Sequence, residues 1–140
     1  MTIFDVIYSD PTLVAEIQKA VCVTLKLYTH SEVEARPPIK QVPGRSDPFV
    51  VGYVRLTGQT GAGILALAMS EEAFGTIYQN MFGEKLTVVT ADEQNLAGEL
   101  INIIFQTFDP ELRTRGHLCE VSLPEILAGD ALKNWHRIVS

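Results

Sequence analysis

The chain has 140 residues, of which 46% are hydrophobic and 20% are charged, and this composition is typical of one compact globular domain over residues 1–140. The net charge of −6 and the lack of any basic cluster argue against nucleic-acid binding. The sequence shows no cleavable leader and no apolar run approaching about 18 residues, so we expect a cytoplasmic protein that is neither secreted nor membrane-spanning.

A first helix is predicted from Asp10 to Tyr28. The pair Asp10-Pro11 is a start signal, since a proline at the first helical position loses nothing by lacking an N–H. Apolar residues then recur with a period near 3.6. Residues 29–48 contain four prolines and predict a loop, with an edge strand around residues 39–42. His30 has no neighbour at metal-ligand spacing and is expected to face solvent.

Two strands over residues 49–56 and 64–69 are predicted to form a hairpin, because both are rich in apolar and β-branched residues. The glycine-rich segment between them lacks the Gly-Lys-Ser/Thr ending of a phosphate loop and leads into a strand, so it indicates a turn. A helix follows, with Ser70 as its N-cap and Gly83 just beyond its end. Residues 84–89 are expected to form a short edge strand.

The central helix is predicted over residues 90–108 and begins with a capping box of Thr90 and Glu93. Apolar residues occupy most of its circumference, which indicates burial nearly all round. One narrow face is polar. We call this face the polar stripe, and it consists of Asn95, Glu99, Asn102 and Gln106, with Gly98 beside it. Asp109-Pro110 is expected to break or restart the helix.

The composition of the polar stripe favours a functional surface. A merely solvated face would alternate Lys and Glu, whereas this one is rich in Asn and Gln. Gly98 costs about 1 kcal/mol relative to Ala in a helix interior, which indicates close approach by another group. The spacing Glu-x-x-Asn alone also occurs by chance, so it carries weight only with its structural context.

The C-terminal part is predicted to add a strand over residues 118–123, with Pro124 at its end or at an edge position, and a final strand beginning at residues 137–139. Cys22 and Cys119 have no C-x-x-C partner and are expected to be reduced, buried thiols. An antiparallel hairpin with helices grouped separately predicts the α+β class, as a two-layer domain whose antiparallel sheet packs against long helices. The polar stripe should then face outward.

The run Asn95-x-x-x-Glu99-x-x-Asn102, followed by Pro124, resembles the signature of the CheC/CheX/FliY phosphatases of bacterial chemotaxis. The similarity extends over residues 49–129, and a second Glu-x-x-Asn is absent, which points to the CheX-like branch. Asn95 stands where the family usually has Asp or Ser, and Pro124 lies about one residue nearer than in the usual pattern. The resemblance also implies that a chain ending at Ser140 lacks the family's last strand or two.

The resemblance implies a phosphatase that hydrolyses the aspartyl phosphate of a phosphorylated CheY-like receiver domain, in chemotaxis or two-component signalling. An amide such as that of Asn102 can orient the attacking water by hydrogen bonds. The resemblance implies that Glu99 pairs with the active-site lysine of the partner. Asn95, Gln106 and Gly98 are expected to contact the partner.

Nothing in the sequence has metal-ligand spacing, so we expect no cofactor of its own and a Mg²⁺ ion held by carboxylates of the receiver. CheX-like relatives form dimers, and unpaired strand edges invite pairing, so a homodimer is expected. Two other functions stay open. One is a non-catalytic adaptor that binds a response regulator or a flagellar-motor component through the same helix face, and the other is a dimerising domain whose polar stripe is simply solvated.

Overall fold

The computed structural model describes residues 10–37, 48–59 and 61–138. Helices and strands alternate in groups along the chain, and the sheet is antiparallel throughout, which confirms the predicted α+β class. In chain order the elements are α1 (Pro11–Thr29), β1 (Val50–Gly58), β2 (Gly61–Met69), α2 (Glu71–Phe82), α3 (Ala91–Thr114), β3 (Cys119–Val121), β4 (Glu125–Ala128), a 3-10 helix (Gly129–Asn134) and α4 (Trp135–Ile138).

The starts of α1 and α2, and the end of α2, lie where local signals predicted them. The Asp10 carboxylate accepts a hydrogen bond from the Thr12 N–H at 3.0 Å, and the Ser70 hydroxyl accepts one from the Ala73 N–H at 3.1 Å. Gly83 ends α2 with φ of 72°. His30 is exposed, as expected, and it also closes α1 in the left-handed region, with φ of 56°. The predicted edge strand at 39–42 lies outside the described residues.

Strand β1 is the centre of the sheet. It pairs with β2 along its whole length on one side, and with β3 and β4, one after the other, on the other side. The hairpin prediction is confirmed, but its turn is shorter than expected. Gly58 pairs with Gly61 and Gly63 pairs with Leu56, so the ladder includes glycines that were expected in the turn.

A β-bulge separates β3 from β4. Leu56 pairs with Val121 and Tyr53 pairs with Glu125, so two residues of β1 lie opposite the three residues 122–124. The predicted strand over 118–123 is therefore reduced to Cys119–Val121. Pro124 lies in the bulge, where its missing N–H breaks no regular ladder bond.

Helix α3 lies directly on β1. A Cβ atom added to Gly52 would lie 2.4 Å from the Ala97 carbonyl oxygen, so only glycine allows the helix to come this close. Around this contact the main core joins α1, α2 and α3 to one face of the sheet. The 3-10 helix and α4 cover part of the opposite face, where Leu132 and Trp135 pack on Val51 and Leu127.

The predicted break at Asp109-Pro110 is wrong, because α3 continues through Pro110 to Thr114. A proline inside a helix costs about 3 kcal/mol. Two features of the last turn offset this cost. Leu112 is completely buried in the core, and the Arg113 guanidinium forms an ion pair with Asp109 at 2.8 Å.

Two further expectations are corrected. Residues 85–90 have no regular secondary structure where an edge strand was predicted, and only Leu86 and Val89 are partly buried there. A strand was expected to begin at residue 137, but residues 135–138 form the helical turn α4. Trp135 of this turn packs against the face of the sheet. In the described residues no helix has both the length and the apolarity needed to cross a bilayer.

Candidate functional site

The capping box at the start of α3 is present. The Glu93 carboxylate accepts a hydrogen bond from the Thr90 N–H at 3.2 Å, and the Thr90 hydroxyl accepts one from the Asp92 N–H at 3.3 Å. The hydrogen bond from the Thr90 side chain lowers the pKa of Glu93. Because the helix begins at a defined residue, the direction in which each later side chain points is also defined.

The structure places the polar stripe on the outer face of α3. Asn95, Glu99 and Gln106 are exposed, and Asn102 is partly buried. Glu99 and Asn102 are three residues apart, so their Cβ atoms lie about 5–6 Å from each other on neighbouring turns. A carboxylate and an amide are thereby presented side by side to any molecule that covers this face.

Both side chains are available for an intermolecular contact. Within residues 10–37, 48–59 and 61–138, no Lys or Arg forms an ion pair with Glu99. In the same ranges no intramolecular hydrogen bond engages the side chain of Glu99 or Asn102; the side-chain bonds of α3 involve Thr90, Glu93, Thr107, Asp109, Arg113 and Thr114. The hydrogen-bonding capacity of the pair is therefore unused by the described chain.

Gly98 is buried beside the polar stripe. A Cβ atom added to it would lie 3.2 Å from the Pro124 Cβ and 3.3 Å from the Ile126 Cδ1. The close approach that Gly98 indicated is thus made by the bulge and β4 of its own chain. Gly98 is buried and packs inside its own chain, and its expected contact with the partner stays a prediction.

The bulge also presents a residue that sequence reasoning missed. Leu123 lies between Ser122 and Pro124 and is 86% exposed. No local signal could have singled it out, because its exposure follows from the register of β3 and β4 on β1. An exposed apolar residue is thereby next in the chain to Pro124, which packs on Gly98 beside the polar stripe.

Comparison with known proteins decides the family. The family model described as "Chemotaxis phosphatase CheX" matches residues 50–137, which include all of the polar stripe, the bulge and β4. The chain belongs to the CheX family. A search of the curated proteins gives no match to this sequence.

Solved structures of CheX-like proteins share the fold. A chemotaxis protein CheX from Vibrio vulnificus has a TM-score of 0.77 at 19% identity, with 84% of this chain and 78% of that chain covered. A CheC-like superfamily protein from a Shewanella species has a TM-score of 0.77 at 21% identity, with 86% and 78% covered. A CheX–CheY–BeF3–Mg²⁺ complex from Borrelia burgdorferi has a TM-score of 0.64 at 20% identity, with 87% and 80% covered.

The other reactive side chains of this CheX-family chain include two cysteines. Cys119 is buried and Cys22 is partly buried, and both are free thiols. Burial, followed by the negative charge of Asp109, raises the pKa of the Cys119 thiol and so disfavours the nucleophilic thiolate. No group of three or more His, Cys, Asp or Glu side chains in the described ranges could hold a metal ion. The expectation that Mg²⁺ is held by the receiver stays a prediction.

Proposed function

We propose that this CheX-family chain hydrolyses the aspartyl phosphate of a CheY-type response regulator in chemotaxis or two-component signalling. The observation that carries the proposal is the outward-facing pair of Glu99 and Asn102, one helical turn apart and free of intramolecular partners in the described residues. Membership of a family described as a chemotaxis phosphatase supports the same reaction.

Asn102 would orient the attacking water. An aspartyl phosphate is a mixed anhydride, so water attack at phosphorus breaks the bond from phosphorus to the carboxylate oxygen and releases phosphate and a free aspartate. The leaving carboxylate needs no proton, and placing the water in line with that bond is the main requirement. The amide oxygen of Asn102 can accept a hydrogen bond from the water, and its partial burial restricts the positions that the amide can take.

Glu99 would fix the register of the two proteins. Its carboxylate has no cation within salt-bridge distance in the described chain, so it can accept a charge-assisted hydrogen bond from the active-site lysine of a receiver. Asn95 and Gln106, exposed one turn beyond the pair on either side, would add polar contacts along the same edge.

The receiver would supply the metal. The related complex from Borrelia burgdorferi contains CheY, BeF3 and Mg²⁺. We extend this to the present chain as part of the proposal, with Mg²⁺ on the receiver's carboxylates and no cofactor on the CheX-family side. A cytoplasmic location follows from the location of such receivers.

The proposal is tested by following the loss of phosphate from a purified, phosphorylated receiver domain in Mg²⁺, with and without this protein. We expect catalytic acceleration at substoichiometric concentrations. Binding to the receiver without any acceleration, across a panel of receivers, would replace the phosphatase by the adaptor. Absence of both binding and acceleration would leave the polar stripe as a solvated surface.

A further inference from the structure

The β-bulge between β3 and β4 holds Leu123 away from the domain. With 86% of its surface exposed, Leu123 is the most exposed large apolar side chain in the described residues. The segments on both sides of it are well anchored. Its exposure is therefore a property of the fold, and some other surface must cover it if the apolar area is to be removed from water.

Hydrogen bonds fix the N-terminal side of the bulge. The Arg55 N–H donates to the Ser122 hydroxyl at 2.8 Å, and the Ser122 N–H donates to the Arg55 carbonyl at 2.9 Å. The Ser122 hydroxyl in turn donates to the Leu123 carbonyl at 3.0 Å. On the other side Pro124 has a φ restricted by its ring and packs against Gly98. These contacts fix the backbone on both sides of Leu123.

The position of Leu123 relative to the polar stripe decides which molecule would cover it. Gly98 and Asn102 are one turn apart on one side of α3, about 6 Å between Cβ positions. Pro124 packs on Gly98 and is bonded to Leu123, so Leu123 lies within roughly 15 Å of Asn102. A standard protein interface covers about 800 Å² per partner, a patch of roughly 16 Å radius. A protein that brings a phosphorylated side chain to Asn102 with an interface of this size would therefore reach as far as Leu123.

We infer that Leu123 is an apolar anchor for the receiver domain, which would present an apolar depression beside its phosphorylated aspartate. The inference rests on the proposed function. In this inference Leu123 contributes to the affinity and selectivity for the receiver, whereas Asn102 orients the attacking water. A receiver with a charged group at the matching place would be rejected, because a buried charge would face an apolar side chain.

The test compares Leu123→Ser with a control variant, Leu118→Ser. Leu118 is 61% exposed at the opposite end of β3, so its replacement alters surface apolarity by the same chemistry away from the bulge. For Leu123→Ser we expect KM for the phosphorylated receiver, and Kd for the receiver activated with beryllofluoride and Mg²⁺, to rise roughly tenfold, with kcat within about twofold of the parent. Leu118→Ser should leave both constants unchanged.

The outcomes separate this inference from the proposed function. If the parent protein does not accelerate phosphate loss, the proposed function is overturned. The anchor role is then tested only by comparing Kd for the activated receiver between the parent and Leu123→Ser. If the parent is active but Leu123→Ser leaves KM and Kd unchanged, only the anchor is overturned. A fall in kcat without a change in KM also overturns the anchor role. A change in oligomeric mass by light scattering, with KM unchanged, overturns it too, because a second copy of the chain would then be the molecule that covers Leu123.

Discussion

Gly98 of α3 and Pro124 of the β-bulge are packed against each other so closely that a Cβ atom on Gly98 would lie 3.2 Å from the Pro124 Cβ. The proline occupies the space that a side chain on the helix would fill. Through this contact the strand side of the domain supports the two helical turns that lead from Asn95 to Asn102. A proline twenty-two residues after Asn102 is thus brought beside the polar stripe by packing, although it carries no reactive group.

Replacing Asn102 by Ala should remove most of the acceleration of receiver dephosphorylation while leaving receiver binding nearly unchanged. The lost contact would act chiefly in the transition state, by orienting water, so the rate falls without a matching loss of affinity. Phosphate release and Kd measured on the same preparations check this. Gln79→Ala, which removes an exposed amide of α2 outside the polar stripe, is the matched control and should retain the activity. Full activity in Asn102→Ala would exclude the role of Asn102.

Glu99→Ala should weaken both binding and rate. It removes a charged contact and leaves the lysine of the receiver unpaired, which costs about 2–5 kcal/mol if that lysine is desolvated in the complex. Because Glu99 is exposed in the free protein, the melting temperature should change by no more than a degree or two. A large drop in melting temperature would show instead that the stripe is structural.

Gly52→Ala should destabilise the domain by about 1–3 kcal/mol, because the added Cβ would lie 2.4 Å from the Ala97 carbonyl oxygen and α3 would have to shift. Gly75→Ala is the control. It lies inside α2 with nothing within 4 Å of its added Cβ, so it should stabilise the helix by up to about 1 kcal/mol. Urea denaturation of both variants measures the two effects, and equal stability of Gly52→Ala and the parent would contradict the close contact.

Glu93 should make stability depend on pH in acid. Its hydrogen bond with Thr90 lowers the pKa of the carboxylate in the folded state. A lowered folded pKa gives stabilisation that is fully present above the unfolded pKa, about 4.3, and is lost as pH falls through the folded pKa. The denaturation midpoint of Glu93→Ala should therefore lie below that of the parent at neutral pH, and the two should converge in acid. Glu84→Ala, an exposed change in the segment between α2 and α3, is the control and should leave the midpoint at neutral pH unchanged.

A homodimer is expected from the character of β2, whose outer edge has no ladder partner in the described residues. The strand Gly61–Met69 contains no charged residue, and charge is the usual protection of an exposed edge. Light scattering at micromolar concentration should give the mass of two chains. Ala66→Lys should shift the mass toward one chain, whereas Thr76→Lys on the exposed face of α2 should not. A monomeric parent protein would contradict this expectation.

Local signals in the sequence were sufficient for the helix starts, for the core-facing periodicity and for the polar stripe. The caps at Asp10, Ser70 and Thr90 depend on hydrogen bonds within three residues, and the stripe depends only on the helical period. These interactions are complete within one element. These interactions can be predicted without knowing which elements pack together. Glu99 and Asn102 could therefore be placed on one outward face from the sequence.

Features that depend on two distant segments were decided only by the tertiary structure. The helix continues through Pro110 because Leu112 is buried in the core. The turn of the hairpin is shorter than predicted because β1 and β2 pair as far as Gly58 and Gly61. The exposure of Leu123 depends on a one-residue mismatch between β1 and the segments on either side of the bulge. Burial and strand register are set by free energies summed over contacts between remote residues, and a local pattern contains no measure of them.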